Sequence, residues 1–169
     1  HSSVVFDNKL WVIAGYDGSR KNDVWYSADG ISWTAATANA PFSGRYLHSS
    51  VVFDNKLWVI AGYDGSRKND VWYSADGISW TAATANAPFS GRYLHSSVVF
   101  DNKLWVIAGY DGARKNDVWY SADGTIWTEA TASAPFSGRY LHSSVVLDNK
   151  LWVIAGNDGS GKNDVWAFD

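Results

Sequence analysis

Two arginines with aromatic neighbours recur through this sequence at a fixed spacing, and their chemistry is the first thing to weigh. Tyr16, Arg20, Arg45 and Tyr46 return as Tyr63, Arg67, Arg92 and Tyr93, and again as Tyr110, Arg114, Arg139 and Tyr140. A guanidinium beside aromatic rings suits a carboxylate, a phosphate or a sugar. Arg45 has a structural alternative, bracing its loop against Asp23 or backbone carbonyls. Arg20 is the cleaner binding candidate. The last copy has Gly161 at its place and Asn157 at the place of Tyr16, so the fold demands neither.

The other reactive groups point away from catalysis. An active site needs different groups in different roles converging on one substrate, whereas a repeated sequence supplies the same groups everywhere. Glu129 is the only glutamate, there is no cysteine, and no nucleophile–base pairing or phosphate-cradling glycine loop is present. The chain is expected not to be an enzyme and to need no cofactor or metal. His1, His48, His95 and His142 could form a ring of imidazoles that binds metal or senses pH; the simpler expectation is that each fixes the connection into its strand by a hydrogen bond. Asp17-Gly18 and Asp29-Gly30 lack the alternating acidic ligands of a calcium loop and are expected to be Asx turns.

What positions these residues is the repeat itself. The segment His1-Ser2-Ser3-Val4-Val5 returns at His48, His95 and His142, giving units His1–Leu47, His48–Leu94 and His95–Leu141, then a partial unit, His142–Asp169. The first two are identical, which points to recent duplication or deliberate construction. Each unit reads as four short strands: Ser2 to Phe6, Leu10 to Ala14, Asp23 to Ser27, and Ser32 to about Thr37. Asp7-Asn8-Lys9 forms a hairpin turn, Gly15 to Lys21 a loop, Ala28-Asp29-Gly30 a second turn, and Ala38 to Leu47 the connection onward. The partial unit lacks its fourth strand.

The second strand, Leu10-Trp11-Val12-Ile13-Ala14, is apolar without alternation, as expected when both faces are covered. One such meander leaves both faces wet and must stack on copies of itself. The expected fold is all-β, a β-propeller of four-stranded antiparallel blades with a 47-residue repeat. In that meander the second-to-third-strand loop and the onward connection emerge on one side, which would gather Tyr16, Asp17, Arg20, Lys21, Phe42, Arg45 and Tyr46. Trp11, Trp25 and Trp33 are expected between blades.

Composition closes off other classes. The 169 residues carry 14 Lys+Arg against 17 Asp+Glu, a formal charge of −3, which removes the general electrostatic case for nucleic acid or an anionic membrane. The longest apolar run is far short of the roughly 20 residues of a membrane helix. Absent cysteine excludes disulfides without fixing a compartment. A start at His1 without any methionine reads as an excerpt or a processed product.

The units resemble kelch repeats. Each has His-Ser before an apolar strand, a small-Gly doublet (Ala14-Gly15, where the family usually has two glycines), Asn22-Asp23, and an aromatic paired at fixed spacing with a tryptophan: Tyr26 with Trp33, Tyr73 with Trp80, Tyr120 with Trp127. The segment Ser27 to Trp33 is also similar to the Asp-box hairpin of sialidase-type propellers, one residue shorter. The resemblance implies packing roles for Gly15, Gly62, Gly109, Gly156 and those aromatic pairs. It also implies a scaffold whose loops hold a protein, an acidic peptide or a glycan. Alternatives are a repeat module with no ligand, and blades of a larger enzyme whose active site lies elsewhere. Exposed apolar flanks lead to the expectation of further blades upstream or association of copies to close the ring.

Overall fold

Asp7 and Asn8 adopt positive φ, 48° and 54°, the mirror-image turn that short polar side chains tolerate, and they join β1 (Ser2–Phe6) to β2 (Lys9–Tyr16). In the computed structural model, which describes residues 1–168, the unit continues with β3 (Arg20–Ser27) and β4 (Thr34–Thr37). The second unit holds β5 (Ser49–Phe53), β6 (Lys56–Tyr63), β7 (Arg67–Ser74) and β8 (Thr81–Thr84). The third holds β9 (Ser96–Phe100), β10 (Lys103–Tyr110), β11 (Arg114–Ser121) and β12 (Thr128–Thr131), and the fourth β13 (Ser143–Leu147), β14 (Lys150–Asn157) and β15 (Gly161–Phe168).

Each unit is one antiparallel meander with its strands in chain order, four strands in the first three and three in the last. The innermost strands β1, β5, β9 and β13 lie side by side in that order. The sheets therefore fan about a common axis as the blades of a β-propeller, as the repeat length and the doubly apolar second strand require.

β2 and β3 run further than the sequence suggests. The sequence ends the second strand at Ala14, but pairing resumes past a bulge between Ile13 and Gly15 and extends to Tyr16 opposite Arg20. The cause is a left-handed kink: Ala14 has φ 51° and Gly15 φ 132°. It inserts an extra residue without ending the ladder. The loop shrinks to Asp17-Gly18-Ser19, with Asp17 Oδ1 accepting from the Ser19 amide and hydroxyl at 3.2 and 3.1 Å. A side chain on Gly62, at the same place one blade on, would meet His48 Cβ at 2.7 Å, so the bulge glycine is also a close-approach position.

The second turn is held by its own polar groups. Ser27 Oγ accepts from Gly30 N at 2.8 Å, and Asp29 Oδ1 accepts from Ile31 N and Ser32 N at 2.8 and 2.7 Å. Three backbone amides are satisfied by two short side chains, the hydrogen bonding expected of the hairpin Ser27 to Trp33. These contacts hold Asp29 near pKa 2, the Ser32 amide contributing most.

Blades meet through apolar faces. The Phe6, Trp11 and Ile13 face of blade one packs on Leu57, Val59 and Trp80 of blade two. The same joint recurs between blades two and three and between three and four. Phe42, expected on the loop face, is instead buried in this joint with its ring edge-on to Trp80, centroids 5.3 Å apart.

Candidate functional site: the loop face and its two arginine series

The onward connection of each blade folds over the next blade. Arg45 N donates to Lys21 O and Gly15 N to Arg45 O, both at 2.8 Å, which sets the connection beside the Asp17 loop on one side of the molecule. From that anchored backbone the Arg45 side chain turns inward. Its Nη1 and Nη2 bind both carboxylate oxygens of Asp70 at 2.7 Å, and Nη1 also donates to Ala61 O at 2.9 Å. Arg45 is 0% exposed. Arg92 clasps Asp117 and Arg139 clasps Asp164 in the same way.

These contacts correct the expectation that Arg45, Arg92 and Arg139 contact a ligand. They are sealed cross-blade clips, with every guanidinium direction already used. The bracing alternative had the right residue type in the wrong blade: the acceptor is the Asp23 equivalent one repeat on. Burial pushes the Asp70 carboxyl upward, but the hydrogen bonds and charge of Arg45 outweigh it, and the net pKa lies below the usual carboxylate value.

Arg20, Arg67 and Arg114 are exposed, and among the described residues none forms an ion pair. The nearby acids are already taken: Asp17, Asp64, Asp111 and Asp158 pair with Lys21, Lys68, Lys115 and Lys162 at 2.8 to 3.3 Å. Each of the first three loops thus presents one uncompensated cation. The Arg20 guanidinium lies 5.8 Å from the Tyr63 ring centroid of the next blade, and a Cβ on Gly65 would meet it at 3.3 Å. Arg67 and Arg114 stand in the same relation to Gly112 and Gly159.

The tyrosines link these cations. Tyr46 and Tyr63 exchange backbone hydrogen bonds across the blade boundary at 3.1 and 2.9 Å, and Tyr93 and Tyr110 do the same. Their rings form one continuous series: Tyr16 to Tyr46 at 5.2 Å, Tyr46 to Tyr63 at 5.7 Å, then Tyr93, Tyr110 and Tyr140 at 5.4, 5.5 and 5.8 Å. A shallow cleft of about 280 Å³ opens among Tyr93, Leu94, Tyr110, Arg114 and Tyr140. The structure therefore brings nine of the twelve expected binding residues into one stripe. At its end Asn157 keeps the backbone bridge to Tyr140, so the ring at that position is surplus to the fold.

The packing expected of every unit is complete in the second and third units and incomplete in the first, where Trp25 and Trp33 are 38% and 40% exposed. Tyr26, Tyr73 and Tyr120 lie against Trp11, Trp58 and Trp105 at 5.2 Å. Trp80 and Trp127 are buried, while Trp33, on the outer flank of blade one, is not.

The histidines line the mouth of the channel with Leu47, Leu94 and Leu141. Three of these histidines fix the entry of the connection into its strand by bonding to the inner strand of the preceding blade: Ser2 Oγ and His48 Nε2 are 2.6 Å apart, and Ser49 and Ser96 meet His95 and His142 at 2.7 Å. Burial, reinforced by the Arg45 charge, pushes His48 down to about 3. Burial and Arg92 do the same to His95, and burial and Arg139 take His142 to about 4. They are neutral structural rings at physiological pH.

Sequence reasoning missed the cross-blade clip, although a signal existed. Each of Arg45, Arg92 and Arg139 has an aspartate 25 residues ahead, and the last unit keeps Asp164 while losing the Arg20 position.

Blade architecture, the His-Ser starts and the tyrosine–tryptophan pairs define a kelch-type β-propeller. The family model of the KLHDC2/KLHL20/DRC7 Kelch-repeats domain matches residues 1–169, and the chain belongs to that family. Kelch-repeat propellers are typically non-catalytic and commonly bind proteins. No curated protein matches the chain significantly.

Proposed function

We propose that this propeller is a non-catalytic binding scaffold whose loop face takes an acidic, extended peptide segment of a protein partner. The units His1–Leu47, His48–Leu94 and His95–Leu141 each contribute one equivalent subsite, and His142–Asp169 contributes its edge. The observation that carries this reading is the contrast in carboxylate supply. Every aspartate of the loops is paired, while Arg20, Arg67 and Arg114 stand exposed beside the tyrosine series. A guanidinium without a carboxylate recruits one from outside, and tyrosine supplies flat contact area at low entropic cost. Three weak sites on a rigid arc reinforce one another through effective concentration. A sulfated or acidic glycan offers the same charges and is the competing ligand.

The test is fluorescence titration with a glutamate-rich peptide, a lysine-rich peptide of equal length and an acidic glycan. The acidic peptide should bind, weaken steeply with salt, and lose affinity when Arg20, Arg67 and Arg114 are all replaced by alanine. Equal binding by the triple variant removes the arginine-centred site, and no binding by any probe favours a repeat module without a ligand.

A further inference from the structure

On the side of the propeller away from the loop face, blade one ends in the β1–β2 turn and the β3–β4 hairpin, and the other blades end in their equivalents. Where blade one meets blade two, these turns bound a cleft of about 440 Å³, within the roughly 300–1,000 Å³ of small-molecule sites. Blade one supplies Asp7, Lys9, Trp11 and Tyr26, and the turns of blade two supply Asn55 and Asp76. The same wall recurs between blades three and four, where Asp101, Lys103, Trp105, Tyr120 and Asn149 bound about 290 Å³. The cleft thus belongs to the joint between successive blades.

We infer that this cleft is a second binding site, on the face opposite the arginines, and that it takes a neutral polyhydroxylated ligand, a saccharide. Its polar groups are rigidly held and unspent. Asn55 sits at φ 52° in its turn. Among the described residues, its side-chain amide and the Tyr26 hydroxyl make no hydrogen bond within the protein. Asp76 accepts from Ser74 Oγ, Ile78 N and Ser79 N, all through Oδ1, which leaves Oδ2 free. Lys9 Nζ, 5.5 Å from the Tyr26 ring centroid, gives one proton to Asp7 and keeps the others to donate. An amide, a hydroxyl, a carboxylate oxygen and an ammonium together offer the mixed donors and acceptors that the hydroxyls of a sugar ring need. The floor is flat and apolar. Trp11 is 3% exposed with its indole N–H already given to Phe6 O, and the Tyr26 ring lies 5.2 Å from it, so aromatic surface is left for the C–H face of a ring. Charge decides against an anion. Lys9 is paired with Asp7 at 3.1 Å, and Asp76 adds a second carboxylate against that single ammonium. This is the reverse of the loop face, where each exposed arginine lacks a carboxylate.

The test is saturation-transfer NMR of the full chain with glucose, galactose, mannose and N-acetylglucosamine, and with glucuronate as the anionic control. At least one neutral sugar should receive saturation from the aromatic protons of the protein and shift the Asn55 side-chain amide signal. Glucuronate should bind more weakly than the neutral sugar that binds best. The Tyr26→Phe, Tyr73→Phe, Tyr120→Phe variant removes only hydroxyls that make no bond within the protein. It should therefore keep the wild-type circular dichroism spectrum and bind that sugar roughly three- to tenfold more weakly. The Lys9→Met, Lys56→Met, Lys103→Met variant, altered at partly exposed side chains, should weaken it as well. Silence from all four neutral sugars overturns the inference, as does undiminished binding by either variant, or glucuronate binding as tightly as the best neutral sugar. A sugar signal abolished by replacing Arg20, Arg67 and Arg114 with alanine puts the sugar on the loop face and overturns it too. The acidic-peptide titration reads the opposite face, so either reading can fail while the other stands.

Discussion

Arg45 and Arg20 have the same side chain, the same 47-residue recurrence and aromatic neighbours, yet one is sealed and the other free. The difference is whether the next blade places a carboxylate in reach. Arg45 finds both oxygens of Asp70; Arg20 finds the ring of Tyr63 and the bare Gly65 turn. One arginine became part of a joint and the other part of a surface, and neither local sequence announces which.

The largest test of that contrast is Arg92→Met. It leaves Asp117 buried without its partner, and loss of a buried pair member typically costs about 3–5 kcal/mol; urea unfolding should show that loss. The Arg92→Met, Asp117→Leu double variant should recover much of it, because apolar replacement removes the stranded charge.

A second test uses acidity. The depressed histidines bind no proton in the folded state near neutrality, but the unfolded chain takes them up below about pH 6.5. Stability is fully present above that value, should fall as pH drops below it, and levels off below the folded values, about 4 for His142 and about 3 for His48 and His95. The aspartates act in the same direction, but their unfolded value of 3.8 confines them to the lower end. Unfolding titrations between pH 6.5 and 4 therefore isolate the histidines, and His95→Gln should flatten the slope there.

Arg139→Met should cost less than Arg92→Met. The side chain of its partner Asp164 is 35% exposed, against 8% for Asp117, so water takes over part of the lost bonding. Arg67→Ala should be the smallest, within about 0.5 kcal/mol of wild type in the same denaturation assay, despite being the same residue type in the same blade boundary.

The blade was legible because its signals are local. Asp7-Asn8 specifies a two-residue turn, Ser27 and Asp29 a self-bonded hairpin, and the unbroken apolar run from Leu10 a strand covered twice. The bulge was not, because Gly15 looks like a terminator when read alone and becomes an insertion only when Gly15 and Tyr16 find Lys21 and Arg20 opposite. The exposed stripe is legible in its tyrosines and in the Arg20 series, which the blade topology gathers on one face. It was misread in the Arg45 series because Asp70 belongs to another repeat, and proximity across a joint leaves no trace in either segment by itself. Phe42 failed for the same reason: its partner Trp80 is 38 positions away.

The overhanging connections have a consequence for how the molecule comes apart. Since Phe42 and Arg45 complete the packing of the blade that follows, a backbone cut between Thr37 and Tyr46 would injure two neighbours at once, and excising one 47-residue unit would yield a sheet missing part of its own seal. Units shingled like this lose structure as contiguous runs from an end inward. Amide exchange should accordingly be slowest in β6 and β10 and quickest in β15, whatever partner the outer surface eventually holds.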